Sequence, residues 1–231
     1  CLVGSEMCIR DSTKAGSMGK SHAEEMNFWT KAEFEQFIVA VQDKPASYTA
    51  FMTLYYTGMR VGELCALTPA DVNLIGHTIT INKTFQRING RDVIWPPKTP
   101  KSNRIVTIPQ TLANCLKEYM DKCYEIQPDD RLFPYTKSFL NHEMLRGCKK
   151  SGVKKIRVHD LRHSHASLLI EMGCQPLLIA DRLGHEKIQT TLNTYSHLYP
   201  NKQAEVAAQL ENVMNGTTVP NGSQMAGVAN L

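Results

Sequence analysis

Apolar residues recur at helical spacing from the first periodic stretch of the chain onward. The apolar positions of that stretch are Phe34, Phe37, Ile38 and Val41. They stand at i, i+3, i+4 and i+7, which places them on one face of an amphipathic helix. Thr30 and Glu33 precede this face with the spacing of a capping box, so the helix is expected to begin directly after Thr30.

Further helices are predicted by the same period and by start and stop residues. Such signals are present at Gly58, Gly173 and Pro176. Glycine is favoured at the position directly after a helix, and proline is favoured in the first turn. After Pro109, a helical face runs from Leu112 to Cys123. The other predicted helices span 47–58, 61–67, 138–150, 160–172, Pro176–Leu183, Ile188–Tyr195 and 202–213.

Between the third and fourth predicted helices, the period changes from helical to alternating. Residues 78–83 read TITINK, which is alternating and β-branched, and residues 104–108 read RIVTI. Asn89-Gly90 is a strong hairpin signal, with 92–95 as the returning partner strand. The predicted fold class is therefore mostly α with one small antiparallel β-sheet, an α+β architecture.

Length and composition are compatible with one globular domain. The chain has 231 residues, of which 42% are hydrophobic and 21% charged. Residues 27–213 are expected to form the folded domain. Residues 1–26 are interpreted as a non-native or linker leader and residues 214–231 as a C-terminal tail, both disordered, since neither shows apolar periodicity.

The charges are unevenly distributed, although the net charge is only +4. Residues 83–104 carry six cations against Asp92, and residues 146–162 carry seven against Asp160. Focused cationic segments on an otherwise acidic chain favour a polyanion-binding face. No apolar run approaches the ~18 residues of a membrane span, so a cytoplasmic protein without a membrane partner is expected.

A histidine-rich segment is the densest cluster of reactive side chains. It places His159, Arg162 and His163 on one helical face at i, i+3 and i+4. Two imidazoles at this spacing can chelate zinc, which leaves a metal-dependent hydrolase as an alternative. Arg162 argues against it, because a permanently charged guanidinium would share the pocket of the metal ion.

Six residues in order carry a resemblance to a known family. They are Arg60, Lys98, His159, Arg162, His185 and Tyr195. With the strings TGMRVGEL, HDLRHSHAS, LGH and TTLNTYSHL, they resemble the catalytic domain of the tyrosine recombinase (phage integrase) family, in particular the integrases of prophages and integrative conjugative elements.

The resemblance implies a role for each of these residues. Arg60 and Arg162 would hold the phosphate, and His185 would donate a hydrogen bond to it. Tyr195 would be the nucleophile, with Tyr199 as the obvious substitute. His159 would be the base or a phosphate-orienting group. Lys98 would protonate the departing 5′ oxygen, with Lys101 as its rival. Glu63 and Asp71 are interpreted as carboxylates that orient basic side chains.

The resemblance also implies partners. The expected substrate is double-stranded DNA at attachment sites, cleaved through a 3′-phosphotyrosyl intermediate without a metal or other cofactor. The protein would be a monomer when free and a homotetramer on DNA, with a directionality factor as a candidate partner. Because such integrases carry further N-terminal DNA-binding domains, the chain is expected to be a catalytic domain from a longer protein that recombines poorly alone. The helix at 202–213 would pack either in cis or on a neighbouring subunit.

Two other functions remain open on the sequence. The basic segments alone would fit a DNA-binding regulator without catalysis, which would show salt-sensitive binding and no covalent product. The active-site residues would also serve a topoisomerase, which would relax supercoiled DNA without exchanging strands.

Overall fold

The computed structural model describes residues 27–97 and 99–199, together with residues 207, 210, 211 and 213–215. The leader predicted at 1–26 lies outside the described residues, as do Lys98, most of the helix predicted at 202–213 and most of the tail predicted at 214–231.

Helices dominate this part of the chain. They are α1 (Lys31–Ala40), α2 (Pro45–Thr57), α3 (Val61–Ala66), α4 (Gln110–Asp121), α5 (Lys137–Ser151), α6 (Leu161–Glu171), α7 (Pro176–Leu183) and α8 (Ile188–Tyr195). The capping box is present: the Glu33 amide donates to Thr30 Oγ1 and the Thr30 amide donates to Glu33 Oε2. The predicted fold class, mostly α with antiparallel β structure, is confirmed.

The strands form two sheets rather than the single sheet that was predicted. They are β1 (Val72–Asn73), β2 (Thr78–Ile81), β3 (Thr84–Ile88), β4 (Arg91–Trp95) and β5 (Arg104–Thr107). One sheet has the order β1-β2-β5 and the other consists of the β3-β4 hairpin, and all pairs are antiparallel.

The division into two sheets corrects the predicted strand at 78–83. That strand ends at Ile81, and a new strand begins at Thr84 to pair with β4. The side chain of Lys83, at the break, bonds to Asp71 Oδ2 at 2.9 Å. Asn89 and Gly90 both adopt positive φ, 50° and 78°, as a two-residue type I′ turn requires, so the predicted hairpin turn is confirmed.

The buried apolar side chains form two clusters. The larger one involves α1 to α5 and the strands, with α2 packed against α4 and α6. The smaller one lies between α6, α7 and α8, and contains Ala166, Ile170, Ile179, Leu183 and Tyr195. Three helices thus hold the predicted nucleophile within their own small core.

Two further observations concern the described residues only. None of the helices there is long and apolar enough to cross a membrane. All five cysteines there are free thiols.

Gly58 should be far less tolerant of alanine than another helix-ending glycine. It ends α2 with φ of +65°, and an added Cβ would lie 2.6 Å from His165 Cδ2 and 2.8 Å from Leu183 Cδ2. Gly152 ends α5 with φ of +77°, and nothing lies within 4 Å of an added Cβ. Gly152→Ala therefore carries only the left-handed penalty, about 1–2 kcal/mol.

Gly58→Ala should lower the free energy of unfolding by that penalty plus about 1–3 kcal/mol for overpacking. Urea denaturation of the two variants and the wild type measures the difference directly. Equal losses for the two variants would contradict the close packing around Gly58.

Candidate active site

Arg162 is anchored between the ends of two helices. It is 4% exposed, and its Nη1 donates to the Gly58 carbonyl at 2.7 Å while its Nη2 donates to the Leu183 carbonyl at 2.6 Å. These carbonyls lie at the C-termini of α2 and α7, where the helix dipole is negative. Burial, and then the charge of Arg60, lowers the pKa of the guanidinium to about 9, so it remains charged at neutral pH.

Glu63 links the second predicted arginine to the small sheet. Its carboxylate accepts from the Arg60 backbone amide and from Arg60 Nη1, both at 2.8 Å. Arg104, which is buried, donates to the same carboxylate through Nη1 and Nη2. Burial raises the pKa of the Glu63 carboxyl, but the bonds and charges of Arg104 and Arg60 outweigh it and lower the pKa. Glu63 is therefore a carboxylate that fixes the direction of Arg60.

His185 follows the glycine that ends α7. Its Nδ1 lies 2.8 Å from Oγ1 of Thr191, a buried residue of α8. Burial, followed by the charges of Arg162 and Arg60, lowers the pKa of His185 to about 4. The imidazole is thus neutral at pH 7, when it can still donate one N–H.

Tyr195 is the last residue of α8 and is only 1% exposed. Its hydroxyl oxygen lies 2.9 Å from Nδ1 of His163, within hydrogen-bond distance. Burial raises the pKa of the hydroxyl to about 12, and the positive charge of Arg162 offsets part of this effect. The phenol is therefore protonated at neutral pH.

A polar cleft passes on both sides of Arg60. On one side, Arg60, Lys83 and His185 line a cavity of about 500 Å³. On the other side, a groove of about 760 Å³ is lined by Arg60 and His159 together with Arg87 and Lys137. The described cations and imidazoles of this cleft could accommodate an extended polyanion.

The structure thus brings Arg60 and His185 together at one cavity, while Arg162 is held between the helix ends just described. His159 is exposed on the neighbouring groove, and Tyr195 is buried behind His163.

Lys98 lies outside the described residues, but its neighbours Pro97 and Thr99 line the cavity that contains Arg60 and His185. The rival Lys101 is exposed in the turn Pro100–Ser102. Asp71 orients Lys83, as predicted for a supporting carboxylate.

For three contributors to the site, the contact seen in the structure was not predicted from the sequence. For Arg104 a signal existed, because alternation along β5 places it on the same inward face as Val106, where a charge needs a partner. For Thr191 the signal was its position four residues before Tyr195, on the same helical face. His163 was noted as part of the cluster, yet nothing local connects it with α8.

The geometry supplies no ligand set for the metal-hydrolase alternative in the part of the chain that is described. Within it, no group of three or more His, Cys, Asp and Glu side chains is placed to hold a metal ion. The rings of His159 and His163 meet edge to face with centroids 5.8 Å apart, and His163 is directed at Tyr195.

Comparison with known proteins agrees with this arrangement. Residues 27–202 match the phage integrase family. The chain is 34% identical over 203 residues to the ICEBs1 integrase of Bacillus subtilis, covering 82% of this chain and 55% of that protein. It is 35% identical over 175 residues to the integrase of Staphylococcus phage L54a, covering 68% of this chain and 49% of that protein. The chain thus spans about half the length of these relatives.

A solved structure shows the same fold. The Tn1549 transposon integrase in complex with circular intermediate DNA superposes with a TM-score of 0.69 and 22% sequence identity, over 82% of this chain and 68% of that one. Because the family match covers most of the described residues, the chain belongs to the phage integrase family and contains a tyrosine recombinase catalytic domain.

Proposed function

We propose that this chain is the catalytic part of a site-specific DNA recombinase, which integrates or excises a mobile element. It would cleave and rejoin duplex DNA through a covalent 3′-phosphotyrosyl intermediate. We assign this catalytic domain to residues 27–213. The similarity to the ICEBs1 integrase of Bacillus subtilis and to the integrase of Staphylococcus phage L54a supports this proposal.

One observation carries the proposal. The cavity that holds Arg60 and His185 is also lined by Gly184, which follows the Leu183 carbonyl that anchors Arg162, and the Tyr195 hydroxyl contacts His163, which follows Arg162. The four residues come from four different helix ends. Arg60 precedes α3, Arg162 lies in the first turn of α6, His185 follows α7 and Tyr195 ends α8. Such a convergence of two guanidiniums, an imidazole and a phenol suits transfer of a phosphoryl group to the phenol.

The residues divide the chemistry as follows. Arg60 and Arg162 bind the non-bridging oxygens of the scissile phosphodiester, and Arg162 has three N–H groups left after its two carbonyl contacts. The Tyr195 oxygen gives up its proton to a neighbouring histidine as it attacks phosphorus, and the bond from phosphorus to the 5′ oxygen breaks. His185 donates a hydrogen bond to the phosphate. Lys98 protonates the 5′ oxygen, which completes the exchange of one phosphoester for another.

The partners follow from this reaction. We propose double-stranded DNA as the substrate, a homotetramer as the active assembly on DNA, and a monomer as the free protein. We further propose action in the cytoplasm without a metal or other cofactor, and a directionality factor as the partner that selects integration or excision. The cations Arg87 and Lys137, which lie beside Arg60 on the groove, support DNA binding, since phosphate contacts dominate its affinity.

A trapping experiment tests the proposal. The protein is incubated in chelator with a pool of nicked duplexes of randomised sequence, in which cleavage beside the nick releases a short fragment and prevents religation. A covalent protein–DNA band should survive denaturing electrophoresis. Mass spectrometry of its peptides should place the nucleotide on Tyr195.

The outcomes separate the candidate functions. Salt-sensitive binding without any covalent band would favour a regulator, and adducts that appear only when divalent metal is restored would reject the metal-free mechanism. Relaxation of supercoiled DNA with no strand exchange between duplexes would favour a topoisomerase.

A further inference from the structure

His163 is the one described residue whose side chain hydrogen-bonds the Tyr195 hydroxyl. Its Nδ1 lies 2.9 Å from the Tyr195 oxygen, and the two ring centroids are 5.7 Å apart. The contact is shielded, because Tyr195 is 1% exposed and packs in the cluster between α6, α7 and α8.

The position of His163 on α6 places it beside the phosphate-binding group. It follows Arg162 directly in the sequence, and its ring contacts Tyr195, whose α8 packs against the α7 end that anchors Arg162 through the Leu183 carbonyl. A phosphate bound by Arg162 would therefore meet both the Tyr195 oxygen and the His163 ring. The 2.9 Å distance between base and nucleophile is that of an activated nucleophile pair.

Burial and nearby cations disfavour a proton on His163 in the absence of DNA. Burial lowers the pKa of His163, Asp160 opposes this effect, and the charges of Arg162 and Arg157 add to it. His159 faces the ring edge to face and Tyr195 contacts it from α8. The dianion-like charge that develops on a phosphate in transfer would favour a proton on this imidazole.

We propose that His163 is the catalytic base for the nucleophile, accepting the Tyr195 hydroxyl proton at Nδ1 as the oxygen attacks phosphorus. This assignment rests on the proposed function, with Tyr195 as nucleophile. In the step, the phosphorus–Tyr195 oxygen bond forms, the bond to the 5′ oxygen breaks, and the proton moves from the Tyr195 oxygen to His163. Religation returns that proton to the phenol.

The family resemblance implies that His159 is either the base or a phosphate-orienting group. With His163 as the base, His159 orients the phosphate. It is exposed, and among the described residues no hydrogen bond joins it to the Tyr195 hydroxyl. Its place on the groove beside Arg60 fits contact with DNA oxygens.

His163→Asn provides the test, because the amide oxygen of asparagine can keep the hydrogen bond to Tyr195 but cannot take up the proton. The substrate is the randomised pool of nicked duplexes, prepared with a 5′-thio leaving group. A thiolate leaves without protonation, so the measured rate does not depend on the acid that serves the 5′ oxygen. His197→Asn, an exposed histidine two residues after Tyr195, is the matched control.

The expected result is a change in the pH profile as well as in the rate. At about pH 7 adduct formation by His163→Asn should be roughly 100-fold slower, at the low end of general-base effects. The wild-type rate should be nearly flat from about pH 7 to about pH 9. The His163→Asn rate should rise about tenfold per pH unit there, because its phenol must ionise unaided.

Other outcomes would overturn the assignment. A uniform loss at every pH would make His163 a positioning residue only, and an unchanged rate would remove it from the reaction. If wild type forms no adduct at all, the proposed function fails first and this assignment with it. Independent of variants and of DNA, nitrogen-15 NMR of the wild type at neutral pH should show Nδ1 of His163 unprotonated and Nε2 protonated; a proton on Nδ1 would contradict the proposal.

Discussion

Tyr195→Phe should form no covalent adduct with DNA while folding and binding DNA nearly as the wild type does. The phenylalanine ring fills the same space between α6, α7 and α8. What is lost is the hydroxyl and its bond to His163, which amounts to about 1 kcal/mol of stability for an ordinary hydrogen bond. The proposed nucleophile is lost as well, so adduct formation should fall below detection on the nicked duplexes, as followed by denaturing electrophoresis.

Tyr199→Phe is the matched control, since Tyr199 is the other tyrosine next to the end of α8. Its hydroxyl is buried without a hydrogen-bond partner among the described residues. Removing an unsatisfied buried hydroxyl should be neutral or slightly stabilising, and adduct formation should persist. An adduct formed by Tyr195→Phe but not by Tyr199→Phe would transfer the nucleophile to Tyr199.

Local signals in the sequence predict the elements that carry these residues. The bounds of α7 and α8 agree with the prediction, because Pro176 stands in the first turn of α7 and Gly184, with φ of 68°, ends it. The strands were harder to predict, since pairing depends on distant partners. β2 pairs with β5, and no local feature shows that the chain breaks after Ile81 to start a second sheet.

The same distinction holds within the site. Glu63 and Arg60 are three residues apart, so a contact between them follows from helical spacing. Arg104 reaches Glu63 across 41 residues and Tyr195 reaches His163 across 32, and only the packed helices and sheet bring them together. Sequence order therefore predicts the candidate side chains, whereas the fold determines which of them contacts the Tyr195 hydroxyl.

Arg162→Lys should lower the rate of adduct formation roughly 1000-fold, at the low end of the range for an arginine that stabilises phosphoryl transfer. Two of the five N–H donors of Arg162 bond to the carbonyls of Gly58 and Leu183. The planar guanidinium holds the other three N–H groups in fixed directions, where they remain available for phosphate oxygens. A lysine ammonium has three donors at a single point. It cannot reach both carbonyls and also hold two phosphate oxygens, although it retains the charge.

Arg182→Lys separates this effect from a simple loss of packing. Arg182 also donates to backbone carbonyls, those of Thr107 and Tyr56, and to the ring of His165, which has no part in the proposed reaction. We therefore expect Arg182→Lys to lower the melting temperature with little change in the rate measured on the folded protein. Arg162→Lys should lose the rate even at temperatures where circular dichroism shows it folded. Equal rate losses in the two variants would mean that Arg162 acts by holding α2 and α7 together and not by contact with the phosphate.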